Sequence, residues 1–131
     1  MQCSECRGDV TAFEVPEDLR EYAPGDAATI CTQCLAVSAA DPANAQAAEE
    51  VRFEDVVESF PSGTAGVRMA LVVGMLSSLA LNRSSIETLV EDLAADGVDA
   101  MLVLEHLEDE SSLQPRVAIG RRRHQLEQLM G

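Results

Sequence analysis

Two short cysteine pairs constrain this chain more than any other feature of its sequence. The sequence reads C-S-E-C at residues 3–6 and C-T-Q-C at residues 31–34, and the chain has only these four cysteines. Each pair can chelate a metal ion through two thiolates, and two such pairs complete the tetrahedral coordination that zinc prefers. The spacing therefore predicts one structural zinc ion per chain, held by Cys3, Cys6, Cys31 and Cys34.

Three other uses of these cysteines are open. A redox-active dithiol usually lies at a helix N-terminus, where the dipole lowers the thiol pKa, but neither pair has a strand-to-helix context. Structural disulfides are rare in a reducing cytoplasm, and the sequence starts without the apolar segment of a signal peptide. Iron would use the same four thiolates as zinc. With four protein ligands the site has no open position for a substrate, which indicates a structural ion.

The residues between the pairs predict a small β ribbon. A strand-like run at 10–15 ends at Pro16, and Thr29 and Ile30 lead into the second pair. Gly8 is expected to supply the positive φ of the first metal-binding turn. Residues 1–38 contain few large apolar side chains, so a metal must contribute to their stability. We interpret residues 1–38 as a zinc-ribbon domain and 39–50 as a linker or an exposed helix that begins at Asp41 and Pro42.

Beyond residue 50 the apolar residues recur at helical spacing. A short amphipathic helix is predicted from four residues at i, i+3, i+4 and i+7, namely Phe53, Val56, Val57 and Phe60. The next helix, at 64–81, is apolar on most faces and should be the centre of the core. It carries a stripe of small residues against which another backbone can pack, within the chain or across a dimer interface: Gly66, Ala70, Gly74 and Ser78.

Three further helices complete the prediction. Asn82 and Arg83 are expected to end the apolar helix, and Ser84 with Glu87 resembles a capping box that starts the next one, which Gly97 would stop. A helix from about residue 98 has one apolar side, formed by Ala100, Val103, Leu104 and Leu107. After a loop at 111–115, the last helix runs over 119–130, with an inner face of Ile119, Leu126, Leu129 and Met130. The predicted fold is a small metal-stabilised, zinc-ribbon-like β ribbon followed by an all-α helical bundle of four or five helices at residues 51–131.

The charge of the chain indicates its surroundings. The formal net charge is -14, and all nine basic residues are arginine. Such an acidic surface repels itself unless salt screens it, which favours a halophilic protein, although an acidic mesophilic protein from a GC-rich genome is an open alternative. The longest uncharged run, 69–82, is shorter than the roughly 20 residues that a membrane-spanning helix needs. We therefore expect a cytoplasmic protein with no membrane contact.

The sequence predicts a protein that is not an enzyme. Its two histidines, His106 and His124, lie in no catalytic motif, and there is no glycine-rich phosphate loop and no evident small-molecule substrate. We interpret the chain as a protein–protein interaction or adaptor module, with an unidentified protein partner or self-association. Two alternatives are a nucleic-acid-associated zinc-ribbon protein, related to transcription or translation, and a structural subunit of a larger assembly.

One basic cluster, Arg121, Arg122 and Arg123, is a candidate interaction site. Helical geometry places Arg122 and Arg123 beside the inner face of the last helix and Arg121 on the opposite side. Arg122 and Arg123 should therefore pair with carboxylates of the chain. The candidates are Glu105, Glu108, Asp109 and Glu110. Because the rest of the chain is strongly acidic, internal pairing is favoured over binding to nucleic acid.

Three groups of residues together resemble a known kind of protein. They are the four cysteines, the segment A-L-N-R at 80–83 and the segment R-R-R-H-Q-L-E-Q-L at 121–129. In these three groups of residues the chain resembles a family of small uncharacterised haloarchaeal proteins. Members of this family have an N-terminal zinc ribbon, a C-terminal helical region and no assigned function. The resemblance implies a ribbon and a high-salt cytoplasm, and it implies no activity.

Overall fold

The computed structural model of the chain describes residues 2–130. A three-stranded antiparallel sheet comprises β1 (Val10–Glu14), β2 (Ala27–Cys31) and β3 (Val37–Ala39), in the order β1-β2-β3. The register pairs Val10 with Cys31 and Ile30 with Val37. Every residue of the central strand β2 is buried. The two predicted strands are thus present, and β3, which the small and polar sequence V-S-A did not indicate, is added to them.

The segment at 39–50, predicted as a linker or an exposed helix that begins at Asp41 and Pro42, has helical structure in two short pieces, and Asp41 caps the first of them. It contains two three-residue 3-10 helices, Pro42–Asn44 and Ala48–Glu50. Between them Gln46 extends the sheet, because it accepts a hydrogen bond from the amide of Glu14 (2.9 Å) and donates one to the carbonyl of Ala12 (3.3 Å). The segment therefore covers the outer edge of β1.

The prediction of a helix from Phe53, Val56, Val57 and Phe60 is wrong. Only a 3-10 turn forms, Phe53–Asp55, followed by further turns. The ring of Phe53 is fully buried, and its centroid lies 5.5 Å from those of both Phe13 and Phe60. The apolar spacing thus reflects the buried side of an irregular segment that connects the sheet to the helices.

Two long helices follow, and the break between them differs from the prediction. Helix α1 (Gly63–Met75) is followed by a 3-10 turn, Leu76–Ser78, and then by α2 (Leu79–Ala95). The chain passes through Asn82 and Arg83 without a break, and the side chain of Asn82 donates to the carbonyl of Ser78 (3.1 Å) in the turn that precedes α2. Ser84 lies within α2 and caps nothing, so the predicted capping box is wrong.

The stripe of small residues packs within the chain. A methyl group at Gly66 would collide with the ring of Phe53, and one at Gly74 would lie 2.8 Å from Cβ of Val37. These two glycines therefore allow α1 to lie directly against the Phe53 segment and against β3. The intramolecular prediction for the stripe is confirmed at these positions.

The remaining helices agree closely with the sequence. Gly97 has φ +81° and, with Val98, donates to the carbonyls of Ala94 (3.0 Å) and Leu93 (2.8 Å), which is the predicted glycine stop in its Schellman form. Helix α3 (Ala100–Asp109) is capped by Asp99, and α4 (Ile119–Met130) follows a loop. Four α-helices therefore lie in residues 2–130, where four or five were predicted. Leu129, predicted to face inward, is exposed.

One continuous hydrophobic core joins the sheet to the helices. Its fully buried large side chains come from both parts: Phe13, Ile30, Phe53, Met69, Leu71, Leu76, Ile86, Leu89, Leu93, Leu104, Leu107 and Leu126. The helical stretch 63–95 is long enough to cross a membrane and contains a window with a mean hydropathy of 1.6, but half of that window is buried in the protein. A core helix meets the same criterion, so this is weak support for a membrane span.

Candidate metal centre

The sheet brings the four cysteines together at one end. Residues 3–8 form a turn that is closed by a bridge between Gln2 and Asp9, and residues 31–36 form the turn from β2 to β3. The four Sγ atoms all lie within 4.8 Å of one another, with 3.7 Å between Cys3 and Cys34 and 3.4 Å between Cys6 and Cys31. A tetrahedral ion with metal–sulfur bonds of about 2.3 Å needs sulfurs about 3.8 Å apart. The cluster can therefore hold a metal ion.

The two turns have the same backbone structure. In each, the amide of the first cysteine donates to the carbonyl five residues later, from Cys3 to Gly8 (2.8 Å) and from Cys31 to Ala36 (2.9 Å). The carbonyl of the first cysteine also accepts from the amide four residues later, which belongs to Arg7 or Leu35. Each half of the site is thus built from one repeated knuckle, and we name them knuckle 1 (residues 3–8) and knuckle 2 (residues 31–36).

The positive φ angle lies one residue earlier than predicted. It falls on Arg7 (62°) and Leu35 (65°), directly after the second cysteine of each knuckle, and not on Gly8. Gly8 is required for another reason, since a Cβ at this position would lie 2.9 Å from the side-chain oxygen of Gln33 and 3.3 Å from Sγ of Cys6. The glycine therefore lets knuckle 2 approach the first pair of sulfurs.

Backbone amides point at the sulfurs. Glu5 donates to Sγ of Cys3, Gly8 to that of Cys6 and Gln33 to that of Cys31, each at 3.4 Å. Cys34 also donates to Sγ of Cys31, at 3.3 Å. Hydrogen bonds of this kind stabilise thiolate charge, so the knuckles are preorganised for the deprotonated form that binds a metal.

The protein environment shifts the pKa values of Cys3, Cys31 and Cys34 in different directions. Amide hydrogen bonds, first from Cys6 and then from Glu5, lower the pKa of Cys3 to about 7. Burial raises the pKa of Cys31, and it raises that of Cys34 to about 12. Without a cation the thiols of Cys31 and Cys34 therefore favour the neutral form. A bound metal ion compensates the charge of the thiolates, and a set of four sulfur ligands is the set that zinc and iron sites use.

The C-terminal half of the chain contacts the metal centre. In the loop before α4, the amide of Gln114 donates to the carbonyl of Gln33 (2.8 Å) and the amide of Arg116 to that of Cys34 (3.4 Å). Arg116 also lies 3.7 Å from the carboxylate of Glu5 in knuckle 1. No sequence pattern predicts this contact, because backbone hydrogen bonds between distant loops require no particular side chain.

The arginine cluster is divided as helical geometry predicts. Arg123 pairs with Glu108 on α3 (2.9 Å) and with Glu127 (2.7 Å), and these hydrogen bonds raise its pKa. Arg122 is half-buried and donates to Gln125 (3.2 Å), not to one of the predicted carboxylates. Arg121 is exposed.

The two histidines lie apart from the cysteines in the fold. His106 Nδ1 lies 2.6 Å from the hydroxyl of the exposed Ser59, and His124 lies 3.5 Å from the amide nitrogen of Gln128 on the same helix. Each therefore has a polar neighbour at the surface.

Within residues 2–130 the protein therefore combines a cysteine cluster that can hold a metal, a small antiparallel sheet and four α-helices. Residues 2–130 match a family of unknown function, DUF6276, and the chain belongs to this family. No curated protein and no solved structure matches the chain significantly.

Proposed function

We propose that the chain is a non-catalytic zinc-binding protein whose ion holds the two knuckles together, and that it acts by binding another protein. The observation that carries the zinc proposal is the closed cluster of four sulfurs, Cys3, Cys6, Cys31 and Cys34, within 4.8 Å of one another. Four protein ligands leave no coordination position for a substrate, which supports a structural ion.

The packing around the cluster supports a structural role. Cys3, Cys31 and Cys34 form a small buried cluster of their own, separate from the main core, and the partly buried residues that pack against it are Val10 and Ala36. Such a small apolar cluster contributes little burial energy. A redox-inert ion that binds the four thiolates would stabilise this end of the sheet, and zinc has this property.

Metal analysis tests the zinc proposal. Protein purified without added metal should contain about one zinc ion per chain, because structural sites of this kind bind tightly at neutral pH. The matched control is Ser4→Ala, a change inside knuckle 1 that removes no sulfur and should retain the ion. A red preparation that contains iron, or a metal content far below one per chain, would contradict the proposal.

A role as an interaction or adaptor module in a halophilic cytoplasm is the second part of the proposal. It is supported by the acidic surface, with a net charge of -14, and by the outer edge of β3, where Ser38 and Ala39 are exposed. Membership of a stable assembly as a structural subunit is the alternative. Purification from the native cell in molar salt distinguishes the two, since a stable assembly would copurify in fixed stoichiometry.

A nucleic-acid role is the remaining alternative, and the arginine cluster decides it. Residues 116–131 carry four arginines and one acid, whereas the preceding 115 residues carry 22 acids and five arginines. Arg123 is engaged by Glu108 and Glu127, which leaves Arg121 as the exposed cation of the cluster. If the protein bound RNA or DNA with a steep salt dependence that Arg121→Gln weakened, the nucleic-acid alternative would replace the adaptor proposal.

A further inference from the structure

The two outer edges of the sheet differ in how their backbone groups are used. On β1 the outward groups of Ala12 and Glu14 hydrogen-bond to Gln46. Ala36 and Ala40, the residues on either side of β3, hydrogen-bond to β2. The amide of Cys31 donates to the carbonyl of Ala36 (2.9 Å), and the amide of Ala40 donates to the carbonyl of Ala27 (3.0 Å). This alternation turns the N–H and C=O groups of Val37 and Ala39 away from β2.

These outward groups of β3 have no partner within residues 2–130. Neither Val37 nor Ala39 makes a backbone or side-chain hydrogen bond to the loops or helices of this part of the chain. Ser38 and Ala39 are exposed, so the edge is open to solvent. An exposed edge of this kind is a template for another extended strand, and proteins normally cover it or use it.

A groove runs along the same edge. It has a volume of ≈ 440 Å³ and lies between the segment 34–38, helix α1 and the segment 115–119. The end of α1 and the 3-10 turn after it contribute small or apolar residues, namely Val73, Gly74 and Ser77. Ligand sites typically have volumes of about 300 to 1,000 Å³, so the groove can hold a few residues of an extended chain.

The chain already uses part of this wall for backbone pairing. Gln114 and Arg116 donate their amides to the carbonyls of Gln33 and Cys34, and this pairing stops just before β3 begins. A bound peptide would therefore continue along Val37 and Ala39, from the point where the protein's own segment ends.

The charges near the edge select the occupant. Glu5 lines the groove at its knuckle end, and the exposed Asp41 lies two residues beyond Ala39. Arg116 is the one basic residue among those that line the groove, and it is 3.7 Å from Glu5. A second copy of the chain carries the same net charge of -14 and is disfavoured, whereas a basic segment is favoured at contact distance, where the attraction remains in molar salt because screening acts beyond about 3 Å.

We propose that β3 binds an extended, basic segment of a partner protein by strand addition, with small apolar side chains of that segment directed into the groove. This inference rests on the proposed role as an interaction module and names the partner chemistry for it. Backbone hydrogen bonds to Val37 and Ala39 supply affinity, and the shallow surface at Gly74 of α1 and Ser77 of the following turn restricts the size of the side chains.

The test uses the synthetic peptide acetyl-Arg-Arg-Val-Ser-Val-Arg-Arg-amide, labelled for fluorescence polarisation. Two versions have the same side chains and charge, but one is N-methylated at both valines and the other at the serine. Alternate amides of a strand point in opposite directions, so one methylated peptide should lose at least about tenfold in affinity and the other should bind like the parent. Equal binding of all three would show simple charge attraction and overturn the proposal.

Variants of the protein locate the site. Ala39→Pro removes an outward N–H that makes no bond within the sheet, and Ser77→Tyr fills the groove, so each should weaken the parent peptide at least about tenfold. The matched control, Ser84→Tyr, places the same side chain on an exposed position of α2 and should not change binding. Equal binding by Ala39→Pro would overturn the proposal.

Two further measurements separate this proposal from the zinc proposal. All variants should retain the wild-type metal content, and a metal-loaded protein that binds no parent peptide at about 1 mM would refute strand addition and leave the zinc site intact. Sedimentation identifies the other occupant: a dimer that Ala39→Pro converts to a monomer would show that a second copy covers the edge, which also overturns the proposal.

Discussion

Cys6→Ser is the sharpest test of how the metal centre contributes to stability. Cys6 is the exposed member of the cluster, whereas Cys3, Cys31 and Cys34 are buried. Its replacement by serine therefore removes one metal ligand and changes little buried packing. A loss of stability in this variant reports the ion and not a cavity in the core.

The expected magnitude follows from the number of ligands. Structural zinc sites contribute about 10–16 kcal/mol of binding free energy at neutral pH. If the four ligands contribute equally, each one accounts for about 3 kcal/mol. For a chain of this size about 1 kcal/mol of unfolding free energy corresponds to about 4 °C in Tm. Cys6→Ser should thus lower the Tm by about 12 °C.

The structure also predicts the form of the transition. Five large side chains of the first 38 residues belong to the main core that continues into the helices: Phe13, Val15, Leu19, Ile30 and Leu35. At about 1.5–3 kcal/mol for each buried side chain, they contribute about 8–15 kcal/mol of burial free energy before the entropy cost of folding, so the helices lose a large part of their core if the sheet unfolds. The helices should therefore not stay folded when the sheet unfolds.

Circular dichroism at 222 nm and the metal content of the same samples measure this prediction. Cys6→Ser should show one cooperative transition, at lower temperature, in which the helical signal is lost together with the sheet. The Ser4→Ala control should melt like the wild type. Two separate transitions, or a wild-type Tm in a protein that has lost its metal, would refute the reasoning.

Three further predictions concern the helices and the salt dependence. Gly66→Ala should destabilise the protein by about 1–2 kcal/mol, because its methyl group would lie 2.5 Å from the carbonyl oxygen of Pro61 and collide with Phe53, and overpacking outweighs the gain in helix propensity. Gly120→Ala is the matched change in a helix, and its effect should be smaller, since its methyl group displaces the flexible carboxylate of Glu108 and can cost at most the ion pair of that residue with Arg123. Arg123→Gln should lower the Tm by breaking two ion pairs, whereas Arg121→Gln should leave it unchanged. The Tm of the wild type should rise strongly from low to molar KCl, because salt screens a net charge of -14, and equal values would favour a mesophilic origin.

The sequence was informative where a side chain has one strong local preference. The cysteine spacing predicted which four sulfurs meet, and Gly97 predicted the end of α2, because each depends on the chemistry of a few neighbouring residues. The inner face of α3 was predicted for the same reason, since its apolar positions repeat at helical spacing over the whole element.

The failures occurred where tertiary packing decides the local structure. The spacing of Phe53, Val56 and Phe60 is helical, but the ring of Phe53 packs against Phe13 and over Gly66. With the ring in this position, the backbone forms the 3-10 turn Phe53–Asp55 in place of an α-helix. The break after α1 falls on an ordinary segment, Leu76–Ser78, which has neither proline nor glycine to mark it. Strand β3 forms because the turn of knuckle 2 directs it back along β2, which its own residues do not indicate.

The boundary at residue 38 separates the chain by composition, but the contacts cross it in both directions. Val37 packs against Gly74 of α1, and Phe13 packs against Phe53. The loop before α4 returns to knuckle 2 through the amides of Gln114 and Arg116. A metal ion that fixes the position of knuckle 2 therefore also fixes one wall of the groove along β3, so removal of the ion should weaken peptide binding even at temperatures where the helices are still folded.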